Sequence, residues 1–356
     1  MKLLFVNASL TDGGSEKAMV LVANQMVQLG HDVLMLLVRD KKSITYVPNS
    51  RIELVQFCYS STNKLGILVR RLKLIRAHVK EFEPDCIISF MWDINVMMLA
   101  ATFGLNVRKI VSERAFPGSS ERGLTSKRLQ DFFYQFADTI VYQTPMARSY
   151  CPTALLDKAI VIPNIIDSPS VAPFSGVRTK RVVSVGRLTR QKNYPMLLKA
   201  FAEFTQKHDD YVLEIYGQGE LESELRNLAV ELAIGDKVSF EGYVDNVAER
   251  IRDAAMFVLA SDFEGISNAM TEAMALGVPV VCTDCPVGGA SLMIEDGTSG
   301  LLVPVGDCSE LARAMAKIAD DFKLSKCISV NAKEVVSKFS AEKIGDLWKG
   351  LVCGEV

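Results

Sequence analysis

The chain has 356 residues, of which 49% are apolar, 23% charged and 8% aromatic, with 23 Gly and 12 Pro. That is the composition of a soluble globular protein long enough for two cores, and it excludes a disordered, collagenous, low-complexity or coiled-coil chain. The net charge of −2 argues against a dedicated nucleic-acid binder, which would show a basic balance or stripe. The net value hides an asymmetry. Residues 1–166 carry 20 Lys and Arg against 14 Asp and Glu, a balance of +6, whereas residues 167–356 carry 20 against 28, a balance of −8. A basic first half suits an anionic surface such as lipid headgroups or phosphates.

No segment reaches the ~18 apolar residues of a membrane span. The most apolar long stretch, 94–105, is short and interrupted by Asn95. Lys2 precedes only the run 3–6 before polar residues begin, so neither a signal peptide nor export from the cytosol is expected. The eight cysteines are scattered. Cys58, Cys86, Cys151 and Cys327 lie in apolar runs, where free cysteine acts as a small hydrophobe. Cys282 and Cys285 form a CxxC without a second pair, and the only histidines are His31, His78 and His208. The pair reads as a strand end and a loop, not as a zinc or redox site.

In chain order, residues 2–7 read as a strand. Residues 15–29 have apolar positions at helical spacing and stop at Gly30. Strands at 33–38 and 52–57, a helix at 64–82, and strands at 86–90, 109–112, 139–143 and 159–162 complete a first set. Near-continuous apolar strands alternating with helices mean a parallel sheet covered on both faces. The Pro, Ser and Gly stretch 167–177 breaks the pattern and reads as a linker. Beyond it come strands at 181–185, 211–216, 238–240, 256–260, 278–282 and 300–303. Helices are expected at 194–207, 221–232, 247–253, 269–276 and 309–320, and the tail reads as helices at 324–338 and 341–351. The fold class is α/β, with two doubly wound Rossmann-like domains facing a central cleft: a first domain over 1–166, the linker over 167–177, and a second domain over 178–339.

Ligands of such sheets bind beyond the carboxyl ends of the strands, so the residues just after strands are the ones to inspect. After the first strand comes Thr11-Asp12-Gly13-Gly14-Ser15-Glu16, a Gly-rich turn that matches neither GxGxxG nor GxxxxGK[ST]. Its glycines allow close backbone approach, and the helix start offers N–H groups to phosphate; equally, it is a plain tight turn. After the first strand of the second domain, Arg187 and Lys192 lie five residues apart, where two cations can clamp a diphosphate and neutralise a departing one. The bland reading is a solvated basic loop. In the segment 262–277, Glu264 follows a strand and Glu272 lies eight later within a helix. Carboxylates accept well from sugar hydroxyls, and Gly265, Ile266, Ser267 and Asn268 would offer amides at the helix start. An isolated pair of this kind is by default two exposed acids on a capped helix.

Taken together, these motifs resemble the retaining nucleotide-sugar glycosyltransferases of the GT-B fold, of the group 1, family 4 type, over essentially the whole chain. The resemblance rests on the Gly-Gly loop, Gly186-Arg187-Leu188 with Lys192-Asn193, Tyr216-Gly217-Gln218-Gly219, Gly242-Tyr243-Val244, the E-x7-E of Glu264 and Glu272, 279–289, and Asp296-Gly297 with Gly300-Leu301-Leu302. It is more specific in the second domain. It implies that Arg187 and Lys192 hold the donor diphosphate, Glu272 the ribose, and Glu264 the transferred sugar with help from the amides of Gly265–Asn268. Tyr243 and Val244 would border the base. Gly13 and Gly14 would let the first domain close on the diphosphate, and the final helix, 340–356, would cross back to that domain. The resemblance makes Arg187, Lys192 and Glu264 the expected catalytic set, with no protein nucleophile, because in this family the leaving phosphate is held to take the acceptor proton. Where many relatives place a His after the fifth strand, this chain has Arg114, which with Glu16 becomes a candidate contact to sugar or acceptor.

No Asp-x-Asp follows a strand, so neither a metal nor another cofactor is expected, the nucleotide sugar being a substrate. The implied partners are a UDP-sugar (UDP-N-acetylgalactosamine foremost, UDP-galactose or UDP-glucose next) and a saccharide acceptor on a polyprenyl diphosphate, as in surface-polysaccharide or glycan assembly. The basic, partly amphipathic stretches 69–76 and 125–133 would hold the protein peripherally on the cytoplasmic membrane face. The alternatives are another GT-B sugar-nucleotide enzyme, such as an epimerase, or a non-catalytic sugar-nucleotide-binding protein.

Overall fold

A computed structural model of the chain describes residues 1–11, 13–39, 44–57, 63–114, 123–167 and 171–355. The readings of Asp12, Cys58 and part of the linker fall outside those residues. By contacts the chain divides into two compact units, Met1–Ile165 with Ala341–Val356, and Ile166–Ser340.

The first unit is built on strands β1 (Lys2–Asn7), β2 (Asp32–Leu37), β3 (Glu53–Gln56), β4 (Cys86–Phe90), β5 (Arg108–Glu113), β6 (Thr139–Tyr142) and β7 (Ala159–Val161). They form one sheet in the order β3-β2-β1-β4-β5-β6-β7, with every pair parallel. All five residues of β4 are buried, as a central strand covered on both faces requires. The covering helices are α1 (Gly14–Gln28), α2 (Lys64–Phe82), α3 (Trp92–Ala101), α4 (Leu124–Tyr134) and α5 (Pro145–Ser149). Helix α1 buries Ala18, Met19, Val20, Val22, Ala23, Met26 and Val27, a broad apolar face at helical spacing. Helix α2 starts at Asn63, whose side chain accepts from the Leu65 and Gly66 amides, and ends at Glu83 in the left-handed region (φ 50°). Helix α3 overlaps the apolar stretch 94–105, to which the sequence pattern assigns no element. It buries Ile94, Asn95, Val96, Met98, Leu99 and Ala101 and packs between α2 and α4, so it has no polar face to reveal a period.

The second unit carries β8 (Thr179–Val185), β9 (Val212–Tyr216), β10 (Val238–Gly242), β11 (Ala254–Leu259), β12 (Val280–Thr283) and β13 (Leu301–Val303), in the order β10-β9-β8-β11-β12-β13, again all parallel. Its helices are α6 (Tyr194–Thr205), α7 (Glu222–Glu231), α8 (Val247–Ile251), α9 (Asn268–Ala275), α10 (Gly289–Met293), α11 (Cys308–Asp320) and α12 (Phe322–Ser337). One core joins the sheet to residues of α6, α7 and α11. The other joins it to residues of α8, α9, α10 and α12. Val171, from the expected linker, packs against this second core.

Helix α13 (Ala341–Cys353) belongs to the first unit. Its Trp348 is fully buried and its ring stacks on Phe90 at 5.9 Å. Both units are thus doubly wound Rossmann-like sheets, as the resemblance implies. Each has one point where the strand order reverses, between β1 and β4 in the first and between β8 and β11 in the second.

Candidate active site

The reversal between β8 and β11 leaves their two following loops side by side, with no crossover above them, which is where ligands of doubly wound sheets sit. Arg187 and Lys192 belong to the loop after β8, and Glu264 to the loop after β11.

The loop after β8 is seated by backbone hydrogen bonds and by Tyr194, whose hydroxyl donates to the Gly186 carbonyl at 3.0 Å. The amide of Gly186 donates to the Tyr216 carbonyl at 2.9 Å and that of Leu188 to the Gln218 carbonyl at 3.0 Å. Gly217 has φ +136°, and a Cβ there would lie 2.0 Å from the Gly186 carbonyl oxygen, so only glycine permits this approach. A short 3-10 turn, Arg190–Lys192, leads into Asn193. Asn193 is left-handed (φ 45°) and its side chain accepts from the Met196 amide, starting α6.

The two loops are then tied to one another. The Asp262 amide donates to the Gln191 carbonyl at 2.9 Å. Gln191 Nε2 donates to the Phe263 carbonyl at 3.0 Å, and Asn193 Nδ2 to Asp262 Oδ1 at 2.6 Å. Lys192 Nζ meets Glu264 Oε2 at 2.5 Å, with the two side chains only 13% and 17% exposed. The same carboxylate oxygen accepts from Ser261 Oγ at 3.3 Å. On its far side the Glu264 amide donates to the Pro286 carbonyl at 3.1 Å. A Cβ on Gly289 would stand 1.8 Å from the Gly265 carbonyl oxygen, so α10 presses directly on this loop. Arg187 is exposed and forms no ion pair among the described residues.

Five of the expected donor contacts follow Glu264, in its loop and the next helix. Ile266 is buried in the core, and Ser267, also buried, caps α9 by accepting from the Met270 amide. Gly265 and Asn268 are half-buried on either side of them, and Glu272 is half-buried one turn into α9. Tyr243, 60% exposed, and the half-buried Val244 follow β10 at the sheet edge. Val244 also lines a groove of about 530 Å³ with Asp245, Asn246, Glu249, Arg250 and Arg252, none of which belongs to the two central loops. Cys282 ends in β12, and Cys285 in the loop beyond it. Both are buried and reduced. Burial pushes the Cys282 thiol well up and the Cys285 thiol up to about 11, with Glu264 adding to the latter, so neither is a reactive thiolate.

In the first unit the reversal between β1 and β4 places Gly13 and Gly14 at the start of α1. The Glu16 carboxylate folds back over that turn. It accepts from Ser15 Oγ at 2.5 Å, and its Oε2 occupies space that a Gly13 Cβ would enter. Arg114 follows β5, but its guanidinium is turned into the unit. It lies over the Phe90 ring at 4.6 Å, with Trp348 at 6.0 Å, and Nη1 donates to Asn164 Oδ1. Nε and Nη2 are buried with no hydrogen-bond partner among the described residues. Burial pulls the group's pKa down to about 9 against the opposing pull of Glu113. Glu113 itself is buried and accepts from Gln130 Nε2 at 2.8 Å and the Tyr134 hydroxyl at 3.2 Å.

Sequence reasoning gave no role to Gln191, Asn193, Ser261 or Asp262, which hold Lys192 and Glu264. A residue that can cap a helix, standing just before the Tyr194-Pro195 start of α6, was the one available signal, for Asn193.

Comparison with known proteins agrees with this architecture. Residues 12–168 match the family described as Glycosyltransferase Family 4, and residues 173–335 the family described as Glycosyl transferases group 1. The chain is 28% identical, over 99% of its length and 98% of the relative's, to a GalNAc-alpha-(1->4)-GalNAc-alpha-(1->3)-diNAcBac-PP-undecaprenol alpha-1,4-N-acetyl-D-galactosaminyltransferase of Campylobacter jejuni. It is 26% identical, over 96% of each chain, to an uncharacterized glycosyltransferase of Haemophilus influenzae. The structure of Anabaena HepE with UDP-glucose superposes with a TM-score of 0.82 over 99% of this chain and all of that one, at 20% identity, and its likeness identifies the fold as GT-B.

Proposed function

This chain belongs to the glycosyltransferases, with a family 4 domain over residues 12–168 and a group 1 domain over 173–335, and from that premise we propose that it is a retaining hexosyltransferase moving a hexose or N-acetylhexosamine from a UDP-sugar to a lipid-linked saccharide. The observation that carries the reading is the Lys192–Glu264 pair at the strand-order reversal of the second unit, with Arg187 exposed on the same loop.

In the proposed reaction, Arg187 and Lys192 receive the donor diphosphate. Charge builds on its outer phosphate as the glycosidic bond breaks, and two cations brought to it favour that state over the ground state. The diphosphate competes with Glu264 for Lys192. As Lys192 turns to phosphate, the Glu264 carboxylate gains acceptor capacity for hydroxyls of the sugar. Glu272, one turn into α9, holds the ribose. The acceptor hydroxyl attacks from the face the nucleotide leaves and gives its proton to the departing phosphate, so the anomeric configuration is kept without a protein nucleophile. Charge neutralisation by two side chains leaves no task for a bridging metal, and no Asp-x-Asp follows a strand.

A lipid-linked acceptor is supported by the Campylobacter relative, which is named for an undecaprenol-diphosphate substrate and for N-acetylgalactosamine transfer. Among the described residues no helix is long and apolar enough to cross a membrane, so a lipid-linked acceptor would be met by peripheral attachment. The test is a screen of UDP- and GDP-sugars for slow donor hydrolysis by the purified protein. UDP-N-acetylgalactosamine should be consumed fastest and release UDP. Consumption of none of them, with no binding of UDP, would overturn the reading.

A further inference from the structure

At the carboxyl end of the first unit's sheet, three buried donors stand without an acceptor among the described residues. One is Nδ2 of Asn7, which ends β1 and is only 1% exposed. Its Oδ1 accepts from the Ala8 amide at 2.8 Å, so the unpaired atom is a donor. Arg114 supplies the other two, Nε and Nη2. Those N–H groups share one edge of the guanidinium and point in parallel, the geometry that receives two oxygens of a carboxylate or phosphate. The opposite edge is engaged. Nη1 donates to Asn164 Oδ1, Asn164 Nδ2 donates to Gln143 Oε1 at 3.4 Å, and Gln143 Nε2 returns to the Arg114 carbonyl at 2.9 Å. That closed ring fixes Arg114, and the Phe90 ring backs the guanidinium at 4.6 Å. Phe90 also links the two residues. Strands β1 and β4 pair in parallel with Val6 opposite Ser89, which brings Asn7 beside Phe90.

The sequence marks Arg114 only as a contact to sugar or acceptor. Its surroundings narrow the chemistry. A sugar hydroxyl would need an acceptor for its own proton, and the side-chain acceptors of this end are already engaged: Asn7 Oδ1 with Ala8, Asn164 Oδ1 with Arg114, and Gln143 Oε1 with Asn164. Glu113 accepts instead from Gln130 and Tyr134. An oxyanion asks for no acceptor. It offers lone pairs to all three donors and a counter-charge to a guanidinium withdrawn from water.

We propose that Asn7 and Arg114 form an oxyanion site in the first unit, which takes a carboxylate on a sugar ring or a phosphate and so selects an acidic acceptor over a neutral one. That the oxyanion belongs to the acceptor rests on the transferase reading above; the site itself does not. The full chain, with UDP in excess so that any site for it is filled, is titrated with galacturonate, inorganic phosphate and galactose at constant ionic strength, and binding is read by calorimetry. Galacturonate or phosphate should bind at least about tenfold more tightly than galactose, the first marking a carboxylate sugar as the occupant and the second a phosphate. Asn7→Asp keeps the acceptor for the Ala8 amide and sets a carboxylate among the donors. It should raise the midpoint of thermal unfolding and abolish binding of the anion, while UDP binds as to the parent. Arg114→Lys keeps the charge without the parallel pair and should weaken the anion about tenfold or more. Anions that bind no better than galactose, or a folded variant of either kind that binds the anion as the parent does, would overturn the proposal. Should one variant fail to fold, the other decides. Failure of the transferase reading would show separately, in the donor screen run without these ligands.

Discussion

Lys192 and Glu264 hold each other at 2.5 Å, so whatever takes one must release the other. A donor diphosphate bound as proposed would draw Lys192 away, and the lysine's share of the transition state should be large. Removing one charged donor from such a site costs about 3–4 kcal/mol, about 100–1,000-fold in rate. Lys192→Ala, shown to be folded, should lower kcat by that much, and a loss under about tenfold would mean that the lysine does not meet the developing charge. The two glutamates should separate by the part of the donor they hold. Glu264→Gln keeps the shape but frees Lys192, so UDP should bind no more weakly while transfer slows at least about tenfold. Glu272→Gln removes a charged acceptor expected at the ribose and should weaken UDP itself by about tenfold or more. Equal losses of UDP affinity in both variants would refute the division. On the proposed reading, in which the two cations do the work of a bridging ion, activity should survive excess EDTA; abolition with rescue by Mn²⁺ would contradict this.

At the level of elements, the loops after β8 and β11 owe their shape to close backbone contacts. Gly289→Ala would drive a methyl to 1.8 Å from the Gly265 carbonyl, with no flexible side chain to yield. It should destabilise the second unit by about 2 kcal/mol or more and weaken donor binding, because the loop carrying Glu264 must move. Gly306→Ala provides the control: its φ is +80°, but nothing lies within 4 Å of the added carbon, so only backbone strain of about 1–2 kcal/mol is expected. Thermal unfolding with and without UDP separates the two cases, since only the first should also lose the stabilisation by UDP. Helix α3 teaches a related point about legibility. Its residues were visible as an apolar run, but a helix packed between two others and a sheet shows no period, whereas α1, with one buried face, does.

For the whole molecule, α13 ties the end of the chain into the first unit. Trp348 is fully buried against Phe90, and Trp348→Ala should cost about 3–5 kcal/mol. Hydrogen exchange should report the loss in β4 and α1 and leave β8 to β13 protected; equal deprotection of both units would show that their stabilities are not separate. The charge asymmetry between the halves gives a second expectation. Each exposed Lys or Arg at an anionic surface contributes about 1 kcal/mol, screened by salt. Reversing Arg70, Lys73, Lys127 and Arg128 should therefore abolish the salt-sensitive part of binding to anionic vesicles. Arg76 is excluded from this set, because its guanidinium already holds the carbonyls of Ala101 and Phe103.

The sequence by itself determined the two parallel sheets, because near-continuous apolar strands between helices can be buried only in a doubly wound arrangement. It also put Arg187, Lys192 and Glu264 after strands, which in such sheets is enough to select candidate site residues. What it left open was which strand ends come together. Only the strand order brings the loops after β8 and β11 into contact, since neighbours in a sheet need not be neighbours in the chain. The same holds for side-chain direction. Nothing local indicated that Lys192 turns to Glu264, that Asn193 reaches Asp262, or that Arg114 folds inward onto Phe90 and Asn164. Those are long-range choices, made by packing and by the need of charged groups for partners as water leaves, and no spacing along the chain records them.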